Sequence, residues 1–418
     1  MILAHEPSLA TLATSPRAFR KLPALADAPA IFRTAVRMMA RNWMAGDLTF
    51  ITPAGRMLRI HAQSPGPVAT IKIHNYRFIQ RALLAGDIGF AEGFVAGEWD
   101  TPDLTAVLSI FSLNFQNLTK ITEGNPLVGV FNFFAHALNG NTKSGSKRNI
   151  HAHYDLGNRF YEQWLDTSMT YSSAKFATPD QPLAEAQTNK YAALAQTMDL
   201  RPEHSVLEIG CGWGGFAEFV AREIGARITG ITISKEQYEF ARKRLFDQGL
   251  ADRATIQLID YRDVAGQFDR VASIEMFEAV GERYWPTYFD KVASVLPSGG
   301  RAGLQIITIE EQLFEGYRRR ADFIQKYIFP GGMLPSESRL RQETGRAGLS
   351  WTNIDRFGLS YGQTLAQWKL HFEAHWDDIR GLGFDLRFKK LWEFYLSYCE
   401  AGFRTGRTDV VQLGLLKA

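Results

Sequence analysis

The feature that most limits how this chain can fold is a glycine-rich segment at residues 208–215, with the sequence EIGCGWGG. It follows an apolar run at 205–209 that is typical of a buried strand, and it opens a run with helical spacing at 215–224. Glycine lets the backbone turn tightly and approach a ligand with no Cβ in the way. The segment therefore predicts a loop that binds a nucleotide or nucleoside at the carboxyl end of a first sheet strand.

Strands and helices are predicted to alternate along the residues that follow this loop. Apolar, β-branched runs at 227–233, 255–259, 268–274 and 302–309 predict four further strands, and residues 236–247 have the spacing of a helix. Such alternation is typical of a mostly parallel sheet with helices on both faces. We therefore expect an α/β fold of the Rossmann-like type.

An acidic residue near the glycines distinguishes two classes of cofactor. Glu208 lies two residues before Gly210, as in the E/D-x-G-x-G pattern of S-adenosylmethionine-dependent methyltransferases, whereas NAD-dependent enzymes place an acid at the end of the second strand. That strand ends in GITIS at 230–234, and the next acid, Glu236, falls in the following helix. The pattern favours S-adenosylmethionine and a class I methyltransferase domain with a mostly parallel seven-stranded sheet. An NAD-dependent oxidoreductase is the rival interpretation.

The sequence divides into two predicted domains. Residues 139–150 include a stretch rich in Gly, Ser, Asn and Lys that is typical of a linker. The patterns within residues 1–138 are a helix at 32–42, a hairpin at 47–61 that turns at 53–55, a strand at 69–74, and a helix at 76–84 that breaks at Gly86. We expect a smaller N-terminal α+β domain that gives access to lipid, covers the site or forms a homodimer, followed by a methyltransferase domain at 151–418.

Composition and charge restrict the partners and the cellular location that we expect for this chain. A net charge of +3 over 418 residues is too small to indicate nucleic-acid binding, and two cysteines fit a reducing, cytoplasmic compartment. The apolar stretch PLVGVFNFFAHAL at 126–138 is shorter than the ~20 residues that span a bilayer. Lys143, Lys147 and Arg148 follow it, which suits contact with an anionic membrane surface, although a buried helix and a solvated linker give the same pattern. We expect a peripheral position on the inner face of the membrane.

Other catalytic patterns in the sequence are weaker. His371 and His375 lie four residues apart on a predicted helix, and His151 and His153 flank a single residue, but neither pair has a convincing third metal ligand. We therefore predict no metal site.

A series of short blocks along the chain is similar to the motifs of one family. The blocks are GFAE to GEWD at 89–100, HYDLGN at 153–158, MTYS at 169–172, the glycine loop, GITISKEQ at 230–237, DYRD at 260–263, MFEAVG at 276–281, KYIFPGG at 326–332, FGLSY at 357–361, and YLSYC at 395–399 with Phe403 and Arg404. Their order and spacing over residues 80–418 resemble the cyclopropane-fatty-acyl-phospholipid synthase family, which includes the mycolic-acid methyltransferases. Members of that family transfer a methyl group from S-adenosylmethionine to the cis double bond of an acyl chain, often in a membrane phospholipid.

The resemblance implies roles for individual residues. By position, the cofactor S-adenosylmethionine is expected to be lined by Tyr171, Ser172, Gly210, Gly212, Gly214, Thr232, Gln237, Tyr261 and Arg262. Glu278 and Tyr361 match positions that help to hold a bicarbonate base, and Cys399 matches a cysteine once assigned to the active site. The expected partners are unsaturated phospholipid acyl chains.

Two departures from the family pattern fall in the expected bicarbonate pocket. The family's Tyr-Ser-Cys-Ala is Tyr171-Ser172-Ser173-Ala174 here, and a histidine on the fifth strand is replaced by Gln305. Ser173 and Gln305 can still form hydrogen bonds, but Gln305 cannot titrate near neutral pH as histidine does.

These departures bear on the predicted product. We expect Glu278 to anchor the base, directly or through a bound anion, and the product to be a cyclopropane fatty acid. Methyl transfer without ring closure, which gives a methyl-branched or methylene fatty acid, is the alternative. A catalytically inactive lipid-binding module is the rival from another class.

Overall fold

The computed structural model describes residues 9–12, 25, 27–122 and 156–418, which form two compact units. The first unit contains the described residues up to 122 together with Phe384–Thr405. The second contains the described residues from 156 to Gly383 together with Gly406–Ala418. The predicted linker at 139–150 and the apolar stretch at 126–138 lie outside the described residues.

The first unit is built on a five-stranded sheet with the order β1-β3-β2-β4-β5. Its strands and helices are β1 (Leu9–Leu12), α1 (Ala30–Arg41), β2 (Ala45–Ile51), β3 (Met57–His61), β4 (Ser64–Ile73), α2 (Arg77–Val95), β5 (Trp99–Asp100) and α3 (Leu104–Thr122). The predicted hairpin is confirmed, because β2 and β3 pair antiparallel with Ile51 opposite Met57. Gly86 (φ 61°, ψ −132°) kinks α2, and the helix resumes beyond the predicted break.

The second unit is built on a seven-stranded sheet with the order β11-β12-β10-β9-β6-β7-β8. Its strands are β6 (Ser205–Ile209), β7 (Arg227–Thr232), β8 (Ala254–Leu258), β9 (Arg270–Ile274), β10 (Arg301–Ile309), β11 (Leu349–Arg356) and β12 (Thr408–Lys417). The strand β12 runs antiparallel to both of its neighbours, and the pairs from β10 to β8 are parallel. The predicted Rossmann-like fold with a mostly parallel seven-stranded sheet is confirmed.

Helices cover both faces of the seven-stranded sheet. Those of the second unit are α4 (Asn158–Tyr161), α5 (Leu183–Thr197), α6 (Gly215–Phe219), α7 (Lys235–Asp247), α8 (Trp285–Val295), α9 (Glu311–Tyr317), α10 (Phe323–Tyr327), α11 (Glu337–Arg346), α12 (Gly358–Ala374) and α13 (Trp376–Gly381). Successive residues of β6 point to opposite faces, so Leu207 joins one apolar core with Trp285 and Phe289, whereas Val206 joins a second with Phe216. Packed helices on both faces therefore fix the position of the edge at which the parallel strands end.

The last helix, α14 (Leu386–Arg404), belongs to the first unit although the sequence analysis included it in residues 151–418. It packs against α3, where the buried hydroxyl of Thr105 donates to Glu400 Oε2 at 2.8 Å. Burial of an apolar helix face against α3 explains this placement. None of the helices in the described part of the chain is both long and apolar enough to cross a bilayer.

Candidate active site

The glycine loop between β6 and α6 turns by placing three glycines in the left-handed backbone region: Gly210 (φ 83°), Gly212 (φ 51°) and Gly214 (φ 84°). The amide of Gly210 donates to the carbonyl of Ile231 on β7 at 3.0 Å, which ties the loop to the sheet. A Cβ on Gly210 would lie 2.7 Å from the side chain of Met276, whereas a Cβ on Gly212 would meet no atom within 4 Å. The loop therefore has a fixed backbone and an open side that suits close approach of a nucleoside.

Glu208 on β6 has a buried carboxyl group, and one of its oxygens lacks a hydrogen-bond partner among the described residues. The side chain is 2% exposed, and the oxygen without a partner is Oε2. Burial raises the pKa of this carboxyl to about 8, and the ammonium of Lys190 opposes the rise. Since buried acceptors are nearly always paired, this oxygen suits an ammonium or hydroxyl group of a ligand.

Lys190 on α5 is the buried cation of the site. Its Nζ donates to Ser172 Oγ at 2.7 Å and lies 4.6 Å from the centre of the Tyr191 ring. Burial lowers the pKa of Lys190 to about 7, and the negative charges of Glu275, Asp166 and Glu208 act against that shift. Lys190 therefore fixes the hydroxyl of the predicted cofactor residue Ser172, and it also lies near the negative charges of the site's carboxylates.

Two predicted cofactor residues meet at the carboxyl end of β7. Thr232 Oγ1 donates to Gln237 Oε1 at 2.8 Å and accepts from the amide of Ser234 at 3.1 Å. Ser234 is the N-cap of α7, where its hydroxyl accepts from the amide of Gln237. Thr232 and Gln237 thus lie next to β6, the strand that leads into the glycine loop, and their contact with the cofactor stays a prediction.

Tyr261 and Arg262 occupy a short 3₁₀ turn, Tyr261–Asp263, after β8. The guanidinium of Arg262 makes two hydrogen bonds to the carboxylate of Asp260, at 2.8 and 2.6 Å. The ring of Tyr261 packs edge-on against Tyr288, and burial raises the pKa of the Tyr261 hydroxyl to about 12. Both residues lie at the carboxyl end of β8. The ion pair with Asp260 holds the guanidinium of Arg262 within this turn.

Aromatic rings surround the remaining predicted cofactor residue, Tyr171. We call the aromatic cluster the set Tyr171, Trp164, Trp368 and Tyr361. The Tyr171 ring lies 5.5 Å from Trp164 and 5.3 Å from Trp368, and Trp368 lies 6.1 Å from Tyr361. Trp164 and Trp368 are fully buried, so the cluster forms a rigid apolar wall that ends at the Tyr361 hydroxyl.

Three hydrogen bonds converge on a second carboxylate of the site, the half-buried Glu275, which follows β9. Ser173 donates its backbone N–H to Oε1 at 2.8 Å, Gln305 donates Nε2–H to the same oxygen at 2.7 Å, and Tyr361 donates its hydroxyl to Oε2 at 2.7 Å. Ser173, Gln305 and Tyr361 are the residues that the sequence analysis placed in the bicarbonate pocket. The structure brings them together around the side chain of Glu275.

The backbone of Glu275 is strained. Its φ of 49° lies in the left-handed region, which costs a residue with a side chain about 1–3 kcal/mol. Its amide donates to the carbonyl of Gln305 at 2.8 Å, and the parallel pairing of β9 with β10 fixes that contact. Strain that is held in place by several hydrogen bonds is typical of functional sites.

Gln412 orients the amide of Gln305. The two glutamines face each other across β10 and β12, and both are at most 1% exposed. Gln412 donates Nε2–H to Gln305 Oε1 at 3.1 Å. Because the oxygen of Gln305 is used in this way, its NH₂ group faces Glu275.

Glu278, the predicted anchor of the base, lies in the 3₁₀ turn Phe277–Ala279. Its Oε1 accepts from the amide of Ile307 on β10, and its Oε2 has no hydrogen-bond partner among the described residues. Burial raises the pKa of this carboxyl to about 8, and the negative charge of Glu275 adds to the rise. Burial thus favours the neutral form of Glu278, whereas the three hydrogen-bond donors on Glu275 stabilise the anionic form of that carboxyl.

Cys399 lies on α14 in the first unit and is partly exposed. Its assignment to the site stays a prediction. Within residues 9–12, 25, 27–122 and 156–418, no three His, Cys, Asp or Glu side chains are grouped so as to hold a metal ion.

Sequence reasoning missed Glu275, Lys190 and Gln412. Glu275 carried a positional signal, because it follows the fourth strand at the edge where ligand-binding groups gather in α/β sheets. Gln412 and Lys190 are polar residues in largely apolar surroundings, VVQLGLL and KYAALA. A buried polar residue of this kind requires partners, and that requirement is a signal for a site.

Comparisons with known proteins identify the family of this chain. The profile of the family described as "Mycolic acid cyclopropane synthetase" matches residues 141–413. A tuberculostearic acid methyltransferase, UfaA1 of Mycobacterium tuberculosis, is 39% identical over 79% of this chain and 79% of its own length. The cyclopropane-fatty-acyl-phospholipid synthase of Escherichia coli K12 is 33% identical over 87% of this chain and 90% of its own. Among solved structures, the fold is similar to that of mycolic acid cyclopropane synthase CmaA1 complexed with SAH and CTAB. The TM-score is 0.61 and the sequence identity 27%, and the match covers 65% of this chain and 98% of that one.

The fold, the glycine loop and these relatives define an S-adenosylmethionine-dependent methyltransferase that modifies lipids. This decides against the NAD-dependent oxidoreductase. The chain belongs to the mycolic acid cyclopropane synthetase family, together with the cyclopropane-fatty-acyl-phospholipid synthases.

Proposed function

We propose that this chain transfers a methyl group from S-adenosylmethionine to a double-bond carbon of an unsaturated fatty acyl chain carried by a membrane phospholipid. We further propose that the added carbon is kept as a methyl branch or a methylene group. The observation that carries the proposal is the half-buried carboxylate of Glu275, held by three donors at the end of the aromatic cluster. This arrangement supplies an apolar wall and a proton acceptor in one place.

The residues around the glycine loop fit S-adenosylmethionine. The open side at Gly212 admits a nucleoside, and the unpaired Oε2 of Glu208 suits a hydroxyl or ammonium group of the donor. Thr232 ends β7, Gln237 lies in the helix after it, and Tyr261 follows the neighbouring strand β8. When bound, S-adenosylmethionine supplies a methyl group on a positively charged sulfur.

The aromatic cluster suits the charge that develops on the acyl chain. An alkene that accepts a methyl cation becomes a carbocation, and aromatic faces stabilise a desolvated cation by about 2 kcal/mol. The buried rings of Trp164 and Trp368 also keep water away, which would otherwise trap the cation as an alcohol. Tyr171 and Tyr361 extend this wall toward Glu275.

The position and identity of the base decide which proton is lost, and therefore the product. The carboxylate of Glu275 in the base pocket and the names of three relatives support a product without ring closure. Those relatives are UfaA1, at 39% identity, and two probable fatty acid methyltransferases at 36%, from Pseudomonas putida and Mycobacterium tuberculosis. Ring closure to a cyclopropane is the second candidate, which the 33% identity to the E. coli synthase supports.

Mass spectrometry of lipids from cells that express the protein tests the function. We expect unsaturated phospholipids to gain the mass of one methylene unit, and hydrogenation to convert the new species to a saturated branched chain. A species that resists hydrogenation would favour the cyclopropane. Absence of any methylated lipid, with the protein folded and able to bind S-adenosylhomocysteine, would instead support the inactive lipid-binding module.

Peripheral contact with the inner face of the membrane is part of the proposal, because a phospholipid acyl chain must leave the bilayer to be methylated. The sequence features that support it are the apolar stretch at 126–138 and the cations Lys143, Lys147 and Arg148. A homodimer stays a prediction.

A further inference from the structure

We infer that the carboxylate of Glu275 takes the place that a bicarbonate ion was expected to fill, and that it accepts the proton that leaves the acyl chain after methyl transfer. The inference rests on the proposed function for the reaction itself. The base of this pocket is then part of the polypeptide.

The hydrogen-bond donors of the pocket are already in use. Gln305 directs one N–H to Glu275 and the other to the carbonyl of Ser173 at 3.3 Å. Ser173 directs its amide to Glu275 and its hydroxyl to the carbonyl of Ala174 at 2.8 Å. Tyr361 directs its hydroxyl to Glu275. Within the described part of the chain, Ser173 and the side chains of Gln305 and Tyr361 therefore have no N–H or O–H left for a separate anion.

Charge also disfavours a bicarbonate ion in this pocket. The ion would lie against the ionised carboxylate of Glu275, and close to Glu278, whose Oε2 is buried with no donor among the described residues. Like charges that share a buried site repel strongly, so one of them is protonated or expelled. The residues present do not fit bicarbonate.

The carboxylate of Glu275 can do the same chemistry. It offers two oxygens on one planar carbon, as bicarbonate does, and both are engaged by donors that stabilise the anion. Because Glu275 is covalently attached and its side chain is fixed at three points, no second ion has to be captured before the reaction. A titratable histidine at position 305 is then not needed for the reaction. Glu275 takes the proton, and Gln305 only holds the carboxylate of Glu275 in place.

The ionisation of Glu275 is balanced by its surroundings. Burial raises the pKa of its carboxyl, whereas the hydrogen bond from Tyr361, the charge of Lys190 and the hydrogen bonds from Gln305 and Ser173 lower it. A base with a pKa moved toward neutrality is better matched to proton abstraction near pH 7 than an ordinary carboxylate.

The sulfur–methyl bond breaks with its electron pair left on sulfur, and the π pair of the alkene forms the new carbon–carbon bond, leaving a cation on the other alkene carbon. For a methyl-branched alkene, Glu275 then takes a proton from a carbon next to the cation. For a methylene group, a hydride first moves from the methylated carbon to the cationic carbon, and Glu275 takes the proton from the added methyl group. The released C–H pair forms the new double bond, and the protonated Glu275 returns its proton to solvent before the next turnover.

The first test is the bicarbonate dependence of the purified full-length protein, assayed with S-adenosylmethionine and vesicles of unsaturated phosphatidylglycerol and phosphatidylethanolamine. In buffer freed of carbon dioxide we expect the rate of lipid methylation to stay within about twofold of the rate with added bicarbonate. Glu275→Gln should lower the rate by about 10²–10⁴-fold and leave the affinity for S-adenosylhomocysteine unchanged. Glu343→Gln, which removes a buried carboxylate of a structural ion pair on α11, is the matched control and should keep the rate. A rate that collapses without bicarbonate, or a fully active Glu275→Gln protein, would overturn the inference.

The second test measures the pocket without using the reaction. Glycine adopts a φ of 49° readily, so Glu275→Gly should fold and should open the pocket. In ¹³C NMR titrations with labelled bicarbonate, we expect saturable binding to Glu275→Gly and none to the wild type. Stoichiometric bicarbonate binding by the wild type would contradict the inference whether or not the protein methylates lipids. A wild type that neither binds bicarbonate nor methylates any lipid would count against the proposed function instead.

Discussion

The hydroxyl of Tyr361 on α12 donates to Oε2 of Glu275 at 2.7 Å, across a separation of 86 residues in the chain. This contact joins the aromatic cluster to the proton acceptor. Removing it in Tyr361→Phe should lower the rate of methyl transfer by about 10–100-fold, since a hydrogen bond to a charged group contributes about 1.5–3 kcal/mol.

The pH profile separates this role from simple packing. Glu275 must be ionised to accept a proton, so activity falls as the pH drops through its raised pKa. The Tyr361 hydrogen bond lowers that pKa, and its loss should move the acidic limb of the rate profile to higher pH. A Tyr361→Phe protein with a lower rate and an unmoved acidic limb would show that Tyr361 only packs.

The pair Gln305 and Gln412 should behave as a coupled unit. Gln412→Met leaves the buried Oε1 of Gln305 without its donor, which costs about 1–3 kcal/mol of stability. The double variant Gln305→Met/Gln412→Met removes both polar groups, so its loss should be smaller than the sum of the two single losses. Urea denaturation of the four proteins gives the coupling energy. Additive losses would contradict the assigned hydrogen bond.

Gly210 should be required for cofactor binding. Gly210→Ala places a side chain in the left-handed region, at about 1–2 kcal/mol, and against Met276. We expect calorimetry to show S-adenosylhomocysteine bound at least about tenfold more weakly. Gly345→Ala on α11, where a Cβ meets no atom within 4 Å, is the control and should bind normally and unfold at a slightly higher temperature.

Glu278 should make the protein less stable as the pH rises. Its pKa is raised by burial from 4.5 to about 8, so between these values the folded protein keeps a proton that the unfolded chain has released. The folded state then binds more protons, and the free energy of unfolding decreases with rising pH across this window. In Glu278→Gln the fall in Tm from pH 5 to pH 8 should be smaller than in the wild type. The exposed control Glu315→Gln should show the wild-type fall, and an equal fall in Glu278→Gln would contradict the shifted pKa.

Cations after the apolar stretch should contribute to membrane binding. Lys147→Glu/Arg148→Glu should reduce co-sedimentation with anionic vesicles, because each basic residue near the surface contributes about 1 kcal/mol, and added salt should have the same effect. Lys243→Glu on the exposed face of α7 serves as the control. Co-sedimentation that does not respond to the charge reversals would count against this part of the proposal.

The sequence predicted the parallel strands well because their signals are local. The strand at 205–209 was predicted with the observed bounds of β6, and those at 227–233 and 302–309 differ from β7 and β10 by one residue. A continuous run of buried apolar residues bounded by glycine or a turn is enough to mark such a strand. The same locality explains why the β2–β3 hairpin was found.

The pocket around Glu275 could not be predicted from local sequence patterns. Its donors lie 30, 86 and 102 residues away in the chain, and only the order of strands in the sheet brings them together. The placement of α14 in the first unit has the same cause, because the hydrogen bond between Thr105 and Glu400 spans 295 residues. Local patterns indicate where a chain forms strands, whereas the partners of a buried charge follow from topology.

Methyl transfer by the purified protein from S-adenosylmethionine with a trideuterated methyl group tests the central claim most directly. With vesicles of unsaturated phospholipid, the account predicts a modified acyl chain that carries deuterium, formed without added bicarbonate. Retention of all three deuterons identifies a methyl branch, whereas loss of one indicates a methylene group or a ring, which hydrogenation then separates. Recovery of unlabelled lipid alone, from a protein that binds S-adenosylhomocysteine, would contradict the account.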